Sequence, residues 1–459
     1  MKTPLNLPLQ GRLFEKRYVM SILDQSVFAS RRAKLAKAMG ANAIAVIATR
    51  DEMYRNRDAD YKYRPDSSFY YLTGFAEPEA VAVLETDDEG ELCYTLCCRE
   101  RNRAMEIWNG YRAGIEGALA QYGADHAFVI EDLDDEIISL LAGKEKLFVR
   151  FGQNKEFDVR VGEWCHKVQL KQRQGDRAPQ HLIQLDGLLD EMRLIKSVDE
   201  LALMQTAGRI SAEAHTRAMQ KVRPEMMEYA LEAELNYIFG QYGTVPAYNT
   251  IVGGGANGCI LHYVENNQML KSGDLVLIDA GCEYQYYASD ITRTFPVNGK
   301  FSAEQKALYE VVLTAQLAAI DTTRVGNHYK QPHEQVIRIL TEGLVDLGLL
   351  KGELNELIET EAYNQFFMHG TGHWLGMDVH DVGQYKVNGE WRAYQEGMVV
   401  TVEPGLYIAP DDESVDEKWR GIGIRIEDDV VLTNDEPKIL TKDVVKSIDD
   451  IEHLMAESR

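Results

Sequence analysis

The chain has 459 residues, of which 45% are hydrophobic and 27% charged, as expected for a soluble globular protein of two or three domains. Its 73 acidic and 49 basic residues give a formal net charge of −24, which argues against nucleic-acid binding and against docking on anionic membranes. No apolar run reaches the roughly 18 residues that span a bilayer. Six scattered cysteines without zinc-finger spacing indicate a reducing compartment, so we expect a cytoplasmic protein.

The first part of the chain predicts an N-terminal extension over residues 1–24 and an α/β domain over residues 25–188. Residues 26–40 have the pattern of an amphipathic helix, and ANAIAVIAT that of a short strand. The segment YRPDSSFYYLTGFAEPEAVAVLET predicts an aromatic strand, a turn at Thr73 and Gly74, and a second apolar strand. Further strands are predicted in ELCYTLCC and near residue 147, with helices over about 103–122 and 132–143 between them.

The second part, residues 189–459, predicts a larger α+β domain with long hairpins. The boundary lies near residues 173–188, where QRQGDRAPQH is polar, and Ser197 to Glu200 have the pattern of a capping box that opens a long helix. A second helix follows Pro224. Two further helices are predicted over about 302–322 and 330–349, and strands over 274–282, 287–296, 397–403 and 422–432.

The stretch FMHGTGHWLGMDVHD, residues 367–381, contains three of the eleven histidines: His369, His373 and His380. A single histidine is more often a surface or core residue than a ligand. Three histidines in a glycine-broken segment favour a site where imidazoles converge.

Two carboxylates are predicted to face each other in DLVLIDAGCEYQYYASDITRTFPV. If the chain folds back at Tyr284 and Gln285, Asp279 and Asp290 lie opposite each other across a hairpin. Facing carboxylates repel, so the pair needs a proton or a cation between them. The alternative is a chance pair on a solvated face, but Asp279 ends a run too apolar for a solvated strand.

A second pair of apolar strands carries Glu403 and Glu427, joined by an acidic loop. Arg425 shares a strand face with Glu427, because side chains two residues apart point the same way. This arginine either holds ligand carboxylates in place or forms an ordinary surface ion pair.

Four carboxylates and the histidines together suit Mn²⁺, Co²⁺, Mg²⁺ or Fe²⁺ better than a thiolate-type zinc site. Two divalent ions would neutralise four carboxylates, and one would not. Two ions can hold a bridging water whose pKa falls towards neutrality, which supplies a hydroxide nucleophile. The residues alone therefore predict a dinuclear metallohydrolase.

The set Asp279, Asp290, His373, Glu403 and Glu427 resembles, in order and spacing, the metal ligands of the methionine aminopeptidase, prolidase and creatinase superfamily. HGTGHWLGMDVHD is similar to the proline-peptidase signature. NTIVGGGANGCILHY, TVEPGLYIAP, GIGIRIEDD and, in the first domain, YYLTGFAEPEAV resemble the bacterial Xaa-Pro aminopeptidases, the aminopeptidase P family. The resemblance covers nearly the whole chain from about residue 25. It implies a C-terminal "pita-bread" catalytic domain and an N-terminal domain for substrate restriction and oligomerisation.

The resemblance implies a role for each matching residue. Asp290 and Glu427 would bridge two metal ions, Asp279 would bind one of them, and His373 and Glu403 the other. Glu403 would also be the general base. His262 and His380 would bind substrate and stabilise the developing negative charge. His369 would line the proline-side pocket, with Tyr407 and Arg425 in support. Trp108 would be presented to the active site of a neighbouring subunit.

The activity implied is metal-dependent hydrolysis of the N-terminal Xaa-Pro bond of peptides, with Mn²⁺ as the expected metal and Co²⁺, Mg²⁺ or Zn²⁺ as alternatives. Trp108 implies a homotetramer, or a dimer. One alternative is a prolidase restricted to Xaa-Pro dipeptides, with organophosphate hydrolysis as a side activity. A more distant alternative is a non-catalytic peptide- or protein-binding module. The sequence departs from the family at Ser68, where an acid is common, and at the displaced Arg392.

Overall fold

The computed structural model describes residues 23–458, which form two compact units that divide between Leu140 and Leu141. The N-terminal extension predicted over residues 1–24 lies outside the described residues as far as residue 22. The domain boundary predicted at residues 188 and 189 stays a prediction. No helix within residues 23–458 is long and apolar enough to cross a membrane.

The first unit alternates strands and helices. Its elements in chain order are α1 (Gln25–Met39), β1 (Ala43–Ala48), β2 (Tyr54–Asn56), β3 (Ala59–Asp60), α2 (Ser67–Thr73), β4 (Val81–Thr86), β5 (Leu92–Cys98), α3 (Arg103–Asn109), α4 (Gly114–Gln121), β6 (His126–Val129) and α5 (Leu133–Leu141), which ends one residue beyond the unit. Four strands lie in the order β6-β5-β4-β1, with β6 parallel to β5 and the other pairs antiparallel.

The aromatic strand predicted before Gly74 is wrong, because residues Ser67–Thr73 form helix α2. The Asp66 side chain caps this helix by accepting a hydrogen bond from the backbone N–H of Phe69, 2.9 Å away. Gly74 ends it in the left-handed conformation. All seven residues of α2 are buried, so the segment has no polar face from which a helical period can be read.

The second unit contains longer helices and several short antiparallel sheets. Its elements are β7 (Lys146–Val149), α6 (Lys155–Leu170), β8 (His181–Gln184), α7 (Asp186–Leu194), α8 (Val198–Lys221), α9 (Glu228–Gln241), β9 (Val245–Pro246), β10 (Ile251–Gly254), β11 (Leu275–Asp279), β12 (Cys282–Tyr284), β13 (Tyr287–Ala288), β14 (Thr292–Pro296), α10 (Ala303–Thr322), α11 (Gln331–Asp346), α12 (Leu354–Glu359), β15 (Lys386–Val387), β16 (Glu390–Trp391), β17 (Val399–Val402), β18 (Gly405–Tyr407), β19 (Gly423–Arg425), β20 (Asp428–Val431), β21 (Lys438–Ile439) and α13 (Ile448–Glu457).

The capping box at Ser197 is confirmed. The Ser197 hydroxyl accepts from the Glu200 N–H, and the Glu200 carboxylate accepts from the Ser197 N–H. Helix α8 then runs for 24 residues and buries one face. The sequence analysis did not predict α6 or α13. The strands that matter for the site lie in the sheets β10-β11-β14 and β17-β20-β21 and in the pair β18-β19.

Candidate metal centre

The hairpin that carries Asp279 and Asp290 forms, but its register differs from the prediction. Asp279 pairs with Thr292 across β11 and β14, and not with Asp290. The chain turns at Gln285 and Tyr286, which both have positive φ, one residue later than predicted. A pairing that differs by two residues keeps both carboxylates on one face, because side chains alternate with a period of two. The predicted proximity is therefore retained.

Tyr248 lies between these two carboxylates. Its hydroxyl oxygen is 2.6 Å from Asp279 Oδ1 and 2.5 Å from Asp290 Oδ1. One phenol proton cannot serve both carboxylates at once, so the pair calls for further positive charge. The sequence analysis did not identify Tyr248. The signal lies in its position just before β10, whose Ile251 pairs with Asp279.

Glu403 and Glu427 lie directly opposite each other where a long hairpin is interrupted. On one side of them β17 pairs with β20, with Val402 opposite Asp428. On the other side β18 pairs with β19, with Gly405 opposite Arg425. The two pairings share one register, so Glu403 and Glu427 face each other in the gap between them. The paired strands on either side therefore fix the backbone positions of Glu403 and Glu427.

His373 completes the cluster. Its Nε2 atom is 3.5 Å from Asp290 Oδ2 and 3.7 Å from Glu403 Oε1. Its Nδ1 atom lies 3.0 Å from the carbonyl oxygen of Trp374, which can only accept, so Nδ1 carries a proton and Nε2 faces the carboxylates. One ligand atom each from Asp290, His373 and Glu427 lies within 4.8 Å of the other two.

Carboxylates outnumber the cations of the cluster, and their pKa values reflect this. Burial, and then the charge of Asp290, raises the pKa of Asp279. Burial also raises the pKa of Glu403 to about 7, although the charge of His373 acts in the opposite direction. Burial and the neighbouring carboxylates raise the pKa of Glu427 well above its usual range. Two buried and two half-buried carboxylates with one imidazole are the donor set of a hard divalent cation, so these residues fit a metal centre.

Arg425 is the cation that orients Asp279. Its side chain is only 4% exposed, and its Nη2 atom donates to Asp279 Oδ2 over 2.6 Å. The same guanidinium donates to the hydroxyl of Tyr407 over 3.1 Å and to that of Thr292 over 3.1 Å. Thr292 in turn donates to Glu427 Oε2 over 2.6 Å. Of the two interpretations offered for Arg425 in the sequence analysis, the structure therefore supports the one in which it holds a carboxylate of the cluster, and not the surface ion pair.

The other predicted histidines lie around the cluster. His369 Nε2 is 2.8 Å from the Tyr407 hydroxyl, and the His369 Nδ1 atom is 3.9 Å from Glu403 Oε2. The ring centroid of His380 lies 4.2 Å from that of His373. His262 is exposed and close enough for its charge to lower the pKa of both His369 and His380, after burial as the main cause.

A buried ion network holds the loop that carries His380. The Asp381 carboxylate accepts from Arg193 Nη2 over 2.6 Å and from Lys196 Nζ over 2.9 Å. All three side chains are at most 3% exposed. The Asp381 N–H also donates to the carbonyl oxygen of Trp374, which closes the loop onto the residue after His373. The sequence analysis did not identify this network, because Arg193 and Asp381 are 188 residues apart.

Two residues named in the sequence analysis, Trp108 and Arg392, are not part of the cluster in the second unit. Trp108 belongs to α3 in the first unit and is 84% exposed, so its predicted role in a neighbouring subunit stays a prediction. Arg392 forms two hydrogen bonds with the carboxylate of Glu191, of 2.9 and 2.7 Å. The Glu191 carboxylate thus occupies the hydrogen-bond donors of the Arg392 guanidinium.

Comparisons with known proteins agree with this geometry. The sequence profile of metallopeptidase family M24 matches residues 202–434, and that of the aminopeptidase P N-terminal domain matches residues 28–149. The chain is 46% identical over 441 residues to the Xaa-Pro aminopeptidase of Escherichia coli, an alignment that covers 96% of this chain and 100% of that protein.

Solved structures show the same similarity. An aminopeptidase of Pseudomonas aeruginosa superposes with a TM-score of 0.93 at 51% identity, covering 95% of this chain and 99% of that one. A zinc-substituted aminopeptidase P of E. coli, solved with product, superposes with a TM-score of 0.93 at 46% identity over the same shares of the two chains. The predicted fold class, an α/β N-terminal domain followed by a pita-bread catalytic domain, is confirmed. The chain belongs to metallopeptidase family M24, with an N-terminal domain of the aminopeptidase P type.

Proposed function

We propose that this protein is a metal-dependent Xaa-Pro aminopeptidase, which hydrolyses the first peptide bond of peptides with proline in second position. The observation that carries the proposal is the convergence of Asp279, Asp290, His373, Glu403 and Glu427 in one cluster whose side chains are buried or half-buried. The similarity to relatives named Xaa-Pro aminopeptidase over nearly the whole chain supports the same conclusion.

These five residues would hold two divalent ions, with Asp290 and Glu427 shared between them. When bound, such ions lower the pKa of a water molecule and so supply a nucleophile at neutral pH. Manganese is the metal we propose. Because a relative has been solved in a zinc-substituted form, metal analysis must distinguish manganese from zinc, cobalt and magnesium.

Glu403 is the proposed general base. Its N–H donates to the carbonyl oxygen of the loop residue Thr371 over 2.8 Å, which holds the backbone, and its Oε1 atom accepts from the hydroxyl of Thr401 in β17 over 3.3 Å, which orients the carboxylate. The Glu403 carboxylate takes a proton from the attacking water and passes it to the proline nitrogen. Without that proton the proline nitrogen is a poor leaving group, since it would depart as an amide anion.

Five further residues are proposed to bind substrate. His369 and Tyr407 are hydrogen-bonded to each other and, with Arg425, form one wall that would receive the proline ring. His262 and His380 would bind the scissile carbonyl oxygen and stabilise the negative charge that develops there. Trp108 would complete the site of a neighbouring subunit, which makes a homotetramer, or a dimer, part of the proposal, together with a cytoplasmic location.

The test uses protein purified without chelator. We expect about two manganese ions per chain by elemental analysis and cleavage of both an Xaa-Pro dipeptide and an Xaa-Pro-Yaa tripeptide. Cleavage of the dipeptide alone would replace the proposal with a prolidase, for which organophosphate esters are the side activity to assay. A chain that binds no metal and hydrolyses neither peptide would be a non-catalytic binding module.

Glu403→Gln tests the proposed base, with the metal content measured in parallel because Glu403 is also a proposed ligand. The amide keeps the size of the side chain and one oxygen, but it cannot accept the proton. Loss of a general base lowers kcat by about 10²- to 10⁴-fold. Near-normal kcat in a folded variant that retains its metal would refute the role of Glu403.

A further inference from the structure

A separate cavity lies beside the segment that joins His369 to His373, on the side of helix α11. It encloses about 270 Å³. Its floor includes Gly370, Thr371 and Gly372. Apart from Thr401, which contacts Glu403, the proposed function uses none of the side chains that form its other walls, which makes the cavity a candidate site of its own.

One end of the cavity is aromatic. The ring of Trp391 stacks on Tyr329, with centroids 6.1 Å apart and planes 22° apart, and Tyr394 lies 5.9 Å from Tyr329. Trp391 belongs to the short hairpin of β15 and β16 and remains 36% exposed, so this wall reaches solvent. Planar rings set around an accessible space favour a flat apolar ligand.

Polar side chains complete the lining, and one of them is a cation. Lys330 is the only charged residue among the described residues that line the cavity, in a protein whose formal net charge is −24. Lys330 Nζ pairs with Glu334 at a long 3.7 Å on the exposed face of α11, a contact of little energetic weight. His333 follows one turn later, with its Nδ1 atom 2.8 Å from the Thr371 hydroxyl.

We propose that this cavity binds a small aromatic monocarboxylate, with the ring against Tyr329, Trp391 and Tyr394 and the carboxylate between Lys330 and the Thr371 hydroxyl. The volume is sufficient, because a cavity of about 150 Å³ holds a benzene ring. Lys330 disfavours a cationic ligand, because no carboxylate is among the described residues that line the cavity.

Occupancy of the cavity is coupled to the catalytic segment through two threonines. The Thr371 carbonyl oxygen accepts from the Glu403 N–H. Thr401, which also lines the cavity, donates to Glu403 Oε1 and accepts from the His373 N–H. A ligand that takes the Thr371 hydroxyl from His333 therefore acts on a residue whose carbonyl oxygen holds the backbone of Glu403. We expect bound ligand to lower kcat and to leave KM unchanged, an effect that rests on the proposed function.

Benzoate is the probe, benzyl alcohol its uncharged control, and the manganese-loaded full chain the protein. Calorimetric titration reads binding without reference to activity, so a failure of the proposed reaction leaves this measurement intact. We expect benzoate to bind more tightly than benzyl alcohol. Lys330→Gln should weaken benzoate about fivefold and leave benzyl alcohol unchanged, because an exposed charge contributes modestly. Trp391→Ala should weaken both ligands and leave peptide hydrolysis without ligand as in the wild type.

Three results would overturn the proposal. Benzoate that does not bind, or binds no better than benzyl alcohol, contradicts the assigned ligand class. Benzoate that binds equally well to the wild type, Lys330→Gln and Trp391→Ala, and competes with peptide, occupies the metal centre instead. Binding that depends on both side chains but leaves kcat unchanged removes the coupling to Glu403.

Discussion

Lys196→Met tests whether the buried ion network holds the His380 loop. In the wild type Lys196 Nζ lies 2.9 Å from Asp381 Oδ2, and both side chains are 1% exposed. Removing one partner of a buried pair costs about 3–5 kcal/mol, because the remaining charge is left without compensation. Arg193 still donates to Asp381 Oδ1, so we expect the lower value, about 3 kcal/mol.

The assay is calorimetric thermal unfolding of the metal-loaded protein, with peptide hydrolysis measured in parallel. A loss of about 3 kcal/mol corresponds to a fall in Tm of roughly 6 °C, at about 2 °C per kcal/mol for a large unit. Turnover should fall as well, because Asp381 directly follows His380. Lys196→Arg is the matched control and should retain most of the stability and the turnover, since its guanidinium keeps the charge.

A double variant separates loss of the pair from loss of packing. Asp381→Asn leaves Lys196 buried without a charged partner and should destabilise the protein by itself. In Lys196→Met combined with Asp381→Asn, no carboxylate is left uncompensated, so the combined loss should be smaller than the sum of the two single losses by about 1–3 kcal/mol. An additive double variant, or a Tm for Lys196→Met equal to that of the wild type, would refute the reasoning.

Three other predictions follow from single features. Burial, and then the charge of Asp186, raises the pKa of Asp190 to about 6, so the protonated carboxyl favours the folded state at low pH and this stability is lost as the pH rises through 6. Asp190→Asn should therefore raise Tm at pH 8 and leave it unchanged at pH 4. A gain in Tm that does not depend on pH would contradict this. A Cβ atom at Gly281 would lie 1.7 Å from the Ser289 carbonyl oxygen. Gly281→Ala should therefore push apart the two segments that carry Asp279 and Asp290, and it should weaken metal binding in calorimetric titration. The control is Gly187→Ala, whose Cβ atom meets no atom within 4 Å and which should bind metal like the wild type. Removing the metal with a chelator should lower Tm, because the carboxylates of the cluster then repel one another, and added Mn²⁺ should restore Tm. An unchanged Tm would contradict a metal centre at this cluster.

Local signals in the chain predicted those elements whose boundaries are chemically marked. The capping box at Ser197 specified the start of α8, because its two side-chain hydrogen bonds need only four consecutive residues. Helix α2 has equally local caps in Asp66 and Gly74, but its seven residues are all buried and mainly aromatic or hydroxylated, a composition that suits a strand. Burial of every side chain removed the periodicity that distinguishes the two structures.

The sequence by itself predicted the donor types of the candidate centre, four carboxylates on apolar strands and histidines in a glycine-broken segment, and the family resemblance singled out His373 among them. These residue types predict a divalent metal whatever their exact pairing, because buried carboxylates require positive charge. Only the tertiary structure decided the register that places Asp279 opposite Thr292, the position of Tyr248 between two carboxylates, and the cations that hold Asp381. Those contacts join residues far apart in the chain, and their geometry depends on how the strands and helices pack, which no local pattern records.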